Sequence, residues 1–279
     1  MGHMKEKMTV GRFFVYLFAI LFAFVCLYPF LMVIGGSLMT NSEVVNDGFK
    51  VFPKEVTFAS YKLLLGNGNL ILNGYKITLF VTVVGTFCSI IVNGMMGYVL
   101  SRKRVAGRKF MNLYVLLTML FNGGMVPWYL ICTRYLHLKN NIFALILPSV
   151  VSAWYIFLIR NYFSGIPEEI YEAAKIDGCS YYTIFTKIIF PLMVPTMITG
   201  CIFSFMWRWD DFLGALLYVN KTEKYPVSLA LKMFCDPSSS SDYGAMFAMA
   251  TLSILPAVLI FFCLQRYLVE GISTSGLKG

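Results

Sequence analysis

Six long apolar runs decide what this chain can become. They lie at roughly Phe13–Leu38, Gly74–Leu100, Phe110–Ile131, Ile142–Phe163, Leu192–Tyr218 and Gly244–Leu268. About 20 apolar residues in helical conformation cross a hydrocarbon core of about 30 Å. Backbone in lipid finds no water, so each run must close its own hydrogen bonds as a helix. Composition agrees, since 58% of the 279 residues are hydrophobic and 13% are charged. That charged share is about half of what a soluble domain carries. The first run is too long for a signal peptide and no small-residue cleavage site follows it. The expectation is an all-α polytopic membrane protein with six transmembrane helices. One transmembrane domain would span residues 13–268, with short ends at 1–12 and 269–279.

Basic residues orient the helices. Lys5, Lys7 and Arg12 precede the first run, and Arg102, Lys103, Arg104, Arg108 and Lys109 fill the loop after the second. Short loops rich in Lys and Arg stay in the cytoplasm. Both termini and a loop over 164–190 are therefore expected inside, and a loop over 219–243 outside. Arg134, His137 and Lys139 run mildly against this rule. The net charge of +9 then reflects topology, and nucleic acid is not an expected partner. Lipid is.

Interruptions within the runs carry the next clues. Gly85, Ser89 and Asn93 recur every four residues, with Gly94 and Gly97 close by. Such a stripe lets a second helix approach closely, and Asn93 could alternatively face a polar path. Phe121 to Pro127 places Asn122, Gly123 and Gly124 in the third run. This is either a break at depth beside a cavity or a helix end near Asn122 followed by a turn. In the fifth run stands Trp207-Arg208-Trp209-Asp210-Asp211. One reading is an interfacial belt with Arg208 reaching for headgroups. The other is a substrate platform: indole faces stack on apolar sugar faces, while carboxylates and a guanidinium bond hydroxyls. Arg208 would also hint at an acidic sugar. The tentative substrate path is thus Asn122, Trp207, Arg208, Trp209, Asp210 and Asp211.

Catalysis is not expected here. No G-x-x-x-x-G-K-[ST] phosphate loop exists, and two histidines leave little room for a triad or a metal site. The seven cysteines are scattered without a C-x-x-C pair, which argues against a disulfide framework.

The most polar stretch between apolar runs is Glu168 to Pro191, which reads as two short helices around a turn. Pro167 suits a first helical position, and Glu168 and Glu169 follow at the positive end of the helix dipole. Asp177-Gly178 marks the turn, with Gly178 suited to the left-handed conformation that ends a helix. Ser180 is a plausible cap for the second helix. Ala173 and Ala174 lack bulk, so that face could enter a partner's groove.

Glu172-Ala173-Ala174, three residues, Gly178, nine residues, and Ile188-Ile189-Phe190-Pro191 resemble the "EAA" loop of binding-protein-dependent ABC importer permeases. Phe190 stands where that pattern has Leu. Asn161 to Pro167, the EAA segment and the ending Gln265-Arg266-Tyr267 with Gly271 and Gly276 to Gly279 look most like the maltose-type carbohydrate permeases, in the subgroup for complex oligosaccharides and uronides. The resemblance implies a type I ABC importer permease fold in a prokaryotic inner cell membrane, with a cytoplasmic EAA coupling helix. It implies that Tyr171, Glu172, Ala173, Ala174, Asp177 and Gly178 couple to an ATPase. It implies a heterodimer with a second permease subunit, two ATPase subunits holding ATP and Mg, and an extracytoplasmic solute-binding protein delivering a sugar or oligosaccharide. The alternatives are a secondary transporter subunit or a permease for a non-sugar solute.

Overall fold

The computed structural model describes residues 10–66, 68–234 and 242–276. Lys5, Lys7, Cys235, Pro237 with the serines after it, and Leu277 to Gly279 lie outside the described residues. The elements, in order, are α1 (Val10–Ser37), α2 (Asn41–Asp47), α3 (Ala59–Gly66), α4 (Gly68–Ser101), α5 (Arg108–Leu120), α6 (Met125–Leu130), α7 (Ala153–Ser164), α8 (Glu168–Ile176), α9 (Tyr181–Thr183), α10 (Phe190–Trp209), α11 (Leu213–Tyr218), α12 (Val227–Phe234) and α13 (Tyr243–Gly276). No strand occurs among the described residues.

Three helical stretches are long and apolar enough to cross a membrane in one piece: Gly11–Ser37, Leu70–Ser101 and Tyr243–Cys263. Among the described residues, three bent pairs raise the number to as many as six if each is one span. Between α5 and α6 the chain turns by 109°. Gly124 takes φ +87 there, and the Asn122 side-chain oxygen accepts its N–H at 3.0 Å. The third run is thus no straight helix: 13 residues of α5 reach only about 20 Å. The fourth run is two short 3-10 turns over Ile142–Ser149, then α7, bent by 43°. The fifth bends by 70° between Leu192 and Met197, where the prolines at 191 and 195 lack the N–H that a helix interior needs.

The chain divides into two compact units. The first contains residues 1–68 and 231–254. A Cβ built on Gly35 would lie 2.4 Å from the Val51 carbonyl oxygen and 2.6 Å from that of Lys50, so only glycine lets the backbone pass there. Phe49 meets the Phe247 ring edge-on at 5.0 Å. Thr40 caps α2 through the Glu43 N–H. Lys54 and Lys50 both bond the Asp47 carboxylate and hold it below the usual carboxylate range. A lowered folded-state value stabilises above the ordinary pKa of about 3.9, and the benefit is lost as pH falls through the lowered value. Hydrogen exchange of residues 41–58, corrected for intrinsic rates, should therefore accelerate below about pH 3.9, and Asp47→Asn should remove that step.

The second unit contains residues 69–230 and 255–279, with α4 as its spine. One apolar core gathers Ile77, Val81, Leu145, Val150, Tyr218 and Leu229. A second, at the other end of α4, gathers Ile159, Phe163, Tyr171, Ala174, Ile184 and Ile189. The small-residue stripe on α4 does two jobs. A Cβ on Gly97 would meet Ile159 Cγ2 at 2.8 Å, so α7 crosses there. Asn93, 1% exposed, meets the break between the 3-10 turns and α7. Its side-chain nitrogen donates to the Val150 carbonyl at 2.8 Å and its oxygen accepts the Ser152 N–H at 2.9 Å. Ser89 donates to the same Val150 carbonyl at 2.9 Å. A broken helix strands backbone groups that lipid cannot satisfy, and α4 satisfies them here.

Candidate functional site

The polar stretch folds as helix, turn and a longer helix. Pro167 occupies the cap position of α8 rather than its first turn. Gly178 takes φ +76, and its N–H bonds the Lys175 carbonyl while Cys179 N–H bonds that of Ala174, both at 3.0 Å. Ser180 accepts the Thr183 N–H at 3.2 Å. The helix after the turn is not short: α9 passes through a π-helical turn, Ile184–Ile189, directly into α10. A π-turn keeps chain continuity while shifting the register of the faces.

The six residues assigned to coupling divide by face. Tyr171 and Ala174 point inward, 8% and 4% exposed, against Phe163 and Ile189. Glu172, Ala173, Asp177 and Gly178 are exposed. Between them stands Ile176, 86% exposed, and nearby Tyr182 is also bare. Sequence reading passed over these last two, although positions 172, 173 and 176 share one helical face. Thus Ala174 packs into its own core, not a partner's groove. The open face presents a carboxylate, small residues and one bare isoleucine.

Arg104 and Arg102 hold α8 to the basic loop. Arg104 pairs with Glu172 at 3.3 Å, with both side chains largely exposed. Such pairs contribute about 0–1 kcal/mol. Arg102 stacks its guanidinium 3.5 Å from the Tyr171 ring centroid and 4.7 Å from that of Tyr98. Cation–ring contacts reach about 2 kcal/mol when desolvated, so the stack is the stronger link.

The second feature is a cavity of about 910 Å³ within the second unit. Asn122, Gly123 and Gly124 line it from the α5–α6 turn, and Ser149 and Val151 from the break in the fourth run. Trp128, Tyr114, Trp207 and Asp211 complete the wall that matters here. Asp211 Oδ1 accepts the Gly214 N–H at 2.9 Å, and its main-chain carbonyl accepts from the Ser228 hydroxyl at 3.0 Å.

Of the six residues of the substrate-path expectation, Asn122, Trp207 and Asp211 meet at this cavity. Arg208 does not line it. It is 6% exposed, donates to the Ser149 carbonyl at 2.8 Å and lies against Gly85, where a Cβ would meet Arg208 Nε at 2.4 Å. Trp209, 4% exposed, stacks on Phe205 at 5.4 Å. Asp210 is exposed, with its N–H on the Met206 carbonyl. The hint of an acidic sugar therefore loses its residue, since the Arg208 guanidinium is turned to the backbone.

The chain as a whole has counterparts among known proteins. A family model described as "binding-protein-dependent transport system inner membrane component" matches residues 8–274. The chain is 32% identical to the polygalacturonan/rhamnogalacturonan transport system permease protein YtcP of Bacillus subtilis, covering 95% of this chain and 97% of that one. It is 27% identical to the arabinooligosaccharides transport system permease protein AraQ of Bacillus subtilis, over 99% of each. A chain in the crystal structure of a bacterial ABC transporter involved in the import of the acidic polysaccharide alginate superposes with a TM-score of 0.83 at 28% identity, covering 93% of this chain and 98% of that one. These matches favour an ABC importer permease over the secondary-transporter alternative. The chain has a type I ABC permease fold and belongs to the family of binding-protein-dependent transport system inner membrane components.

Proposed function

We propose that this chain is one half of the path of an ATP-driven oligosaccharide importer, moved by a separate ATPase that docks on α8. The observation that carries the reading is the two-faced character of α8, with Tyr171 and Ala174 buried in its own core and Glu172, Ala173 and Ile176 bare. A helix that anchors one face and leaves a carboxylate beside an isoleucine on the other fits a protein partner.

Both termini and α8 lie in the cytoplasm on this reading. A second, distinct permease subunit completes the path. Two ATPase subunits, holding ATP and Mg, grip the coupling helices, and a solute-binding protein delivers the sugar from outside. Closure of the ATPase dimer favours the outward-facing state only by as much as ATP binds that state better. The chain itself catalyses nothing.

Within the cavity, Trp207 and Trp128 offer flat apolar faces to sugar rings, while Asp211 and Asn122 bond hydroxyls. The relatives named for polygalacturonan, arabinooligosaccharide and alginate transport support a saccharide. A hydrogen bond to a charged acceptor contributes about 1.5–3 kcal/mol, so Asp211→Asn should cut uptake by about tenfold or more. The measurement is uptake of labelled oligosaccharide by the reconstituted importer at fixed binding-protein concentration. Unchanged uptake in both Asp211→Asn and Trp207→Ala would remove the cavity from the path.

A further inference from the structure

We propose that Arg102 is a positioning residue that ties α8 to the end of α4, so that a displacement of α8 carries α4 with it. The inference rests on the reading of α8 as the docking element of an ATPase. Its geometry is one guanidinium that touches two rings. Tyr98 belongs to α4, Tyr171 belongs to α8, and the Arg102 guanidinium lies over both, 4.7 Å and 3.5 Å from the two centroids. Tyr98 in turn meets Phe163 at 5.1 Å and Phe185 at 5.2 Å, both edge-on. The cluster therefore rests on the ends of α7 and of the π-turn.

The chemistry of the contact is in the ring, not in the phenol. The Tyr171 hydroxyl oxygen is buried and has no hydrogen-bond partner among the described residues. A planar guanidinium lies flat on an aromatic face in a way that an ammonium does not. The Arg104–Glu172 pair also links this loop to α8, and it is exposed to solvent and salt.

What α4 touches makes the link matter. Asn93 and Ser89 hold the break of the fourth run at Val150 and Ser152, and the neighbouring Ser149 and Val151 form cavity wall. Gly85 lies under the Arg208 side chain, which is bonded to Ser149. A shift of α4 thus reaches the cavity through contacts on both sides of that break.

The test uses the complete importer in proteoliposomes and reads sugar taken up per ATP hydrolysed. Arg102→Gln should lower that ratio by about tenfold, within the span of measured site-to-site couplings, while hydrolysis continues. Tyr171→Leu should do the same, Tyr171→Phe should rescue the ratio relative to Tyr171→Leu, and Arg102→Gln with Tyr171→Leu should be no worse than either alone. Arg102→Lys should fall between Arg102→Gln and the unmodified chain. A ratio unchanged in Arg102→Gln, or losses that add in the double variant, would overturn the proposal. Should Arg102→Gln fail to assemble, the Tyr171→Leu and Tyr171→Phe pair decides: equal ratios overturn the clamp, and a ring-dependent ratio supports it. Gly178→Ala separates the two levels. An unchanged ratio there removes the docking role of α8 itself, whereas an effect there with none at Arg102 removes only the clamp.

Discussion

Gly178→Ala and Glu172→Gln are each expected to uncouple ATP hydrolysis from sugar uptake without preventing membrane insertion of the chain. At Gly178 the cause is conformational. Its φ is +76 and no atom lies within 4 Å of where a Cβ would stand, so space is free but the backbone is not. An L-residue in the left-handed region costs about 1–2 kcal/mol. The relief is to release the two bonds that end α8, from Gly178 N–H to Lys175 and from Cys179 N–H to Ala174. That moves the end of the docking face, and 1–2 kcal/mol corresponds to about 5- to 30-fold in a binding equilibrium. At Glu172 the cause is charge: the carboxylate is exposed, pairs with Arg104 at 3.3 Å, and is open to a basic group on a partner. Uptake and hydrolysis measured together on purified, inserted complex check both. Normal uptake per ATP in both variants contradicts the coupling role.

The largest stability effect is expected at Asn93→Leu. The side chain of Asn93 satisfies the Val150 carbonyl and the Ser152 N–H at a helix break, and it is almost wholly buried. Leucine keeps the size and removes both bonds. Ser89 still serves Val150, so the Ser152 N–H bears the loss. A buried unsatisfied group costs about 1–3 kcal/mol, and the segment that loosens forms cavity wall. Ser89→Ala should cost less, because Asn93 continues to serve the same carbonyl. Thermal unfolding of the purified chain in detergent gives the order, with Asn93→Leu least stable. Equal stability of the two variants would show that the break is satisfied in another way.

The same residues mark where sequence reading reaches its limit. The apolar runs placed the helices, because length and composition alone decide what lipid accepts. They did not by themselves place the bends: α5 stops at Leu120 and the chain turns by 109°, and only the interruption from Phe121 to Pro127 hinted at it. The stripe Gly85–Ser89–Asn93 was legible as a packing face, but its partners lie 57 to 61 residues away for Val150, beyond any local pattern. In Trp207 to Asp211, five polar or aromatic neighbours invited one common role. Helical rotation divides the first three, with Trp207 at the cavity while Arg208 and Trp209 turn into the core, and Asp211, beyond the end of α10, returns to the cavity wall. The same rule separates Tyr171 and Ala174 from Glu172, Ala173 and Ile176 on α8. Arg102 read as a topology signal; its place over Tyr98 and Tyr171 needed the fold.

Photo-crosslinking from position 176 tests the docking of a separate motor most directly, since Ile176, 86% exposed, is a bare apolar residue on the open face of α8. A photoreactive residue placed there in the assembled importer should form its main adduct with the nucleotide-binding ATPase subunit. An adduct formed instead with lipid, with another span of this chain, or with the extracytoplasmic binding protein would contradict it.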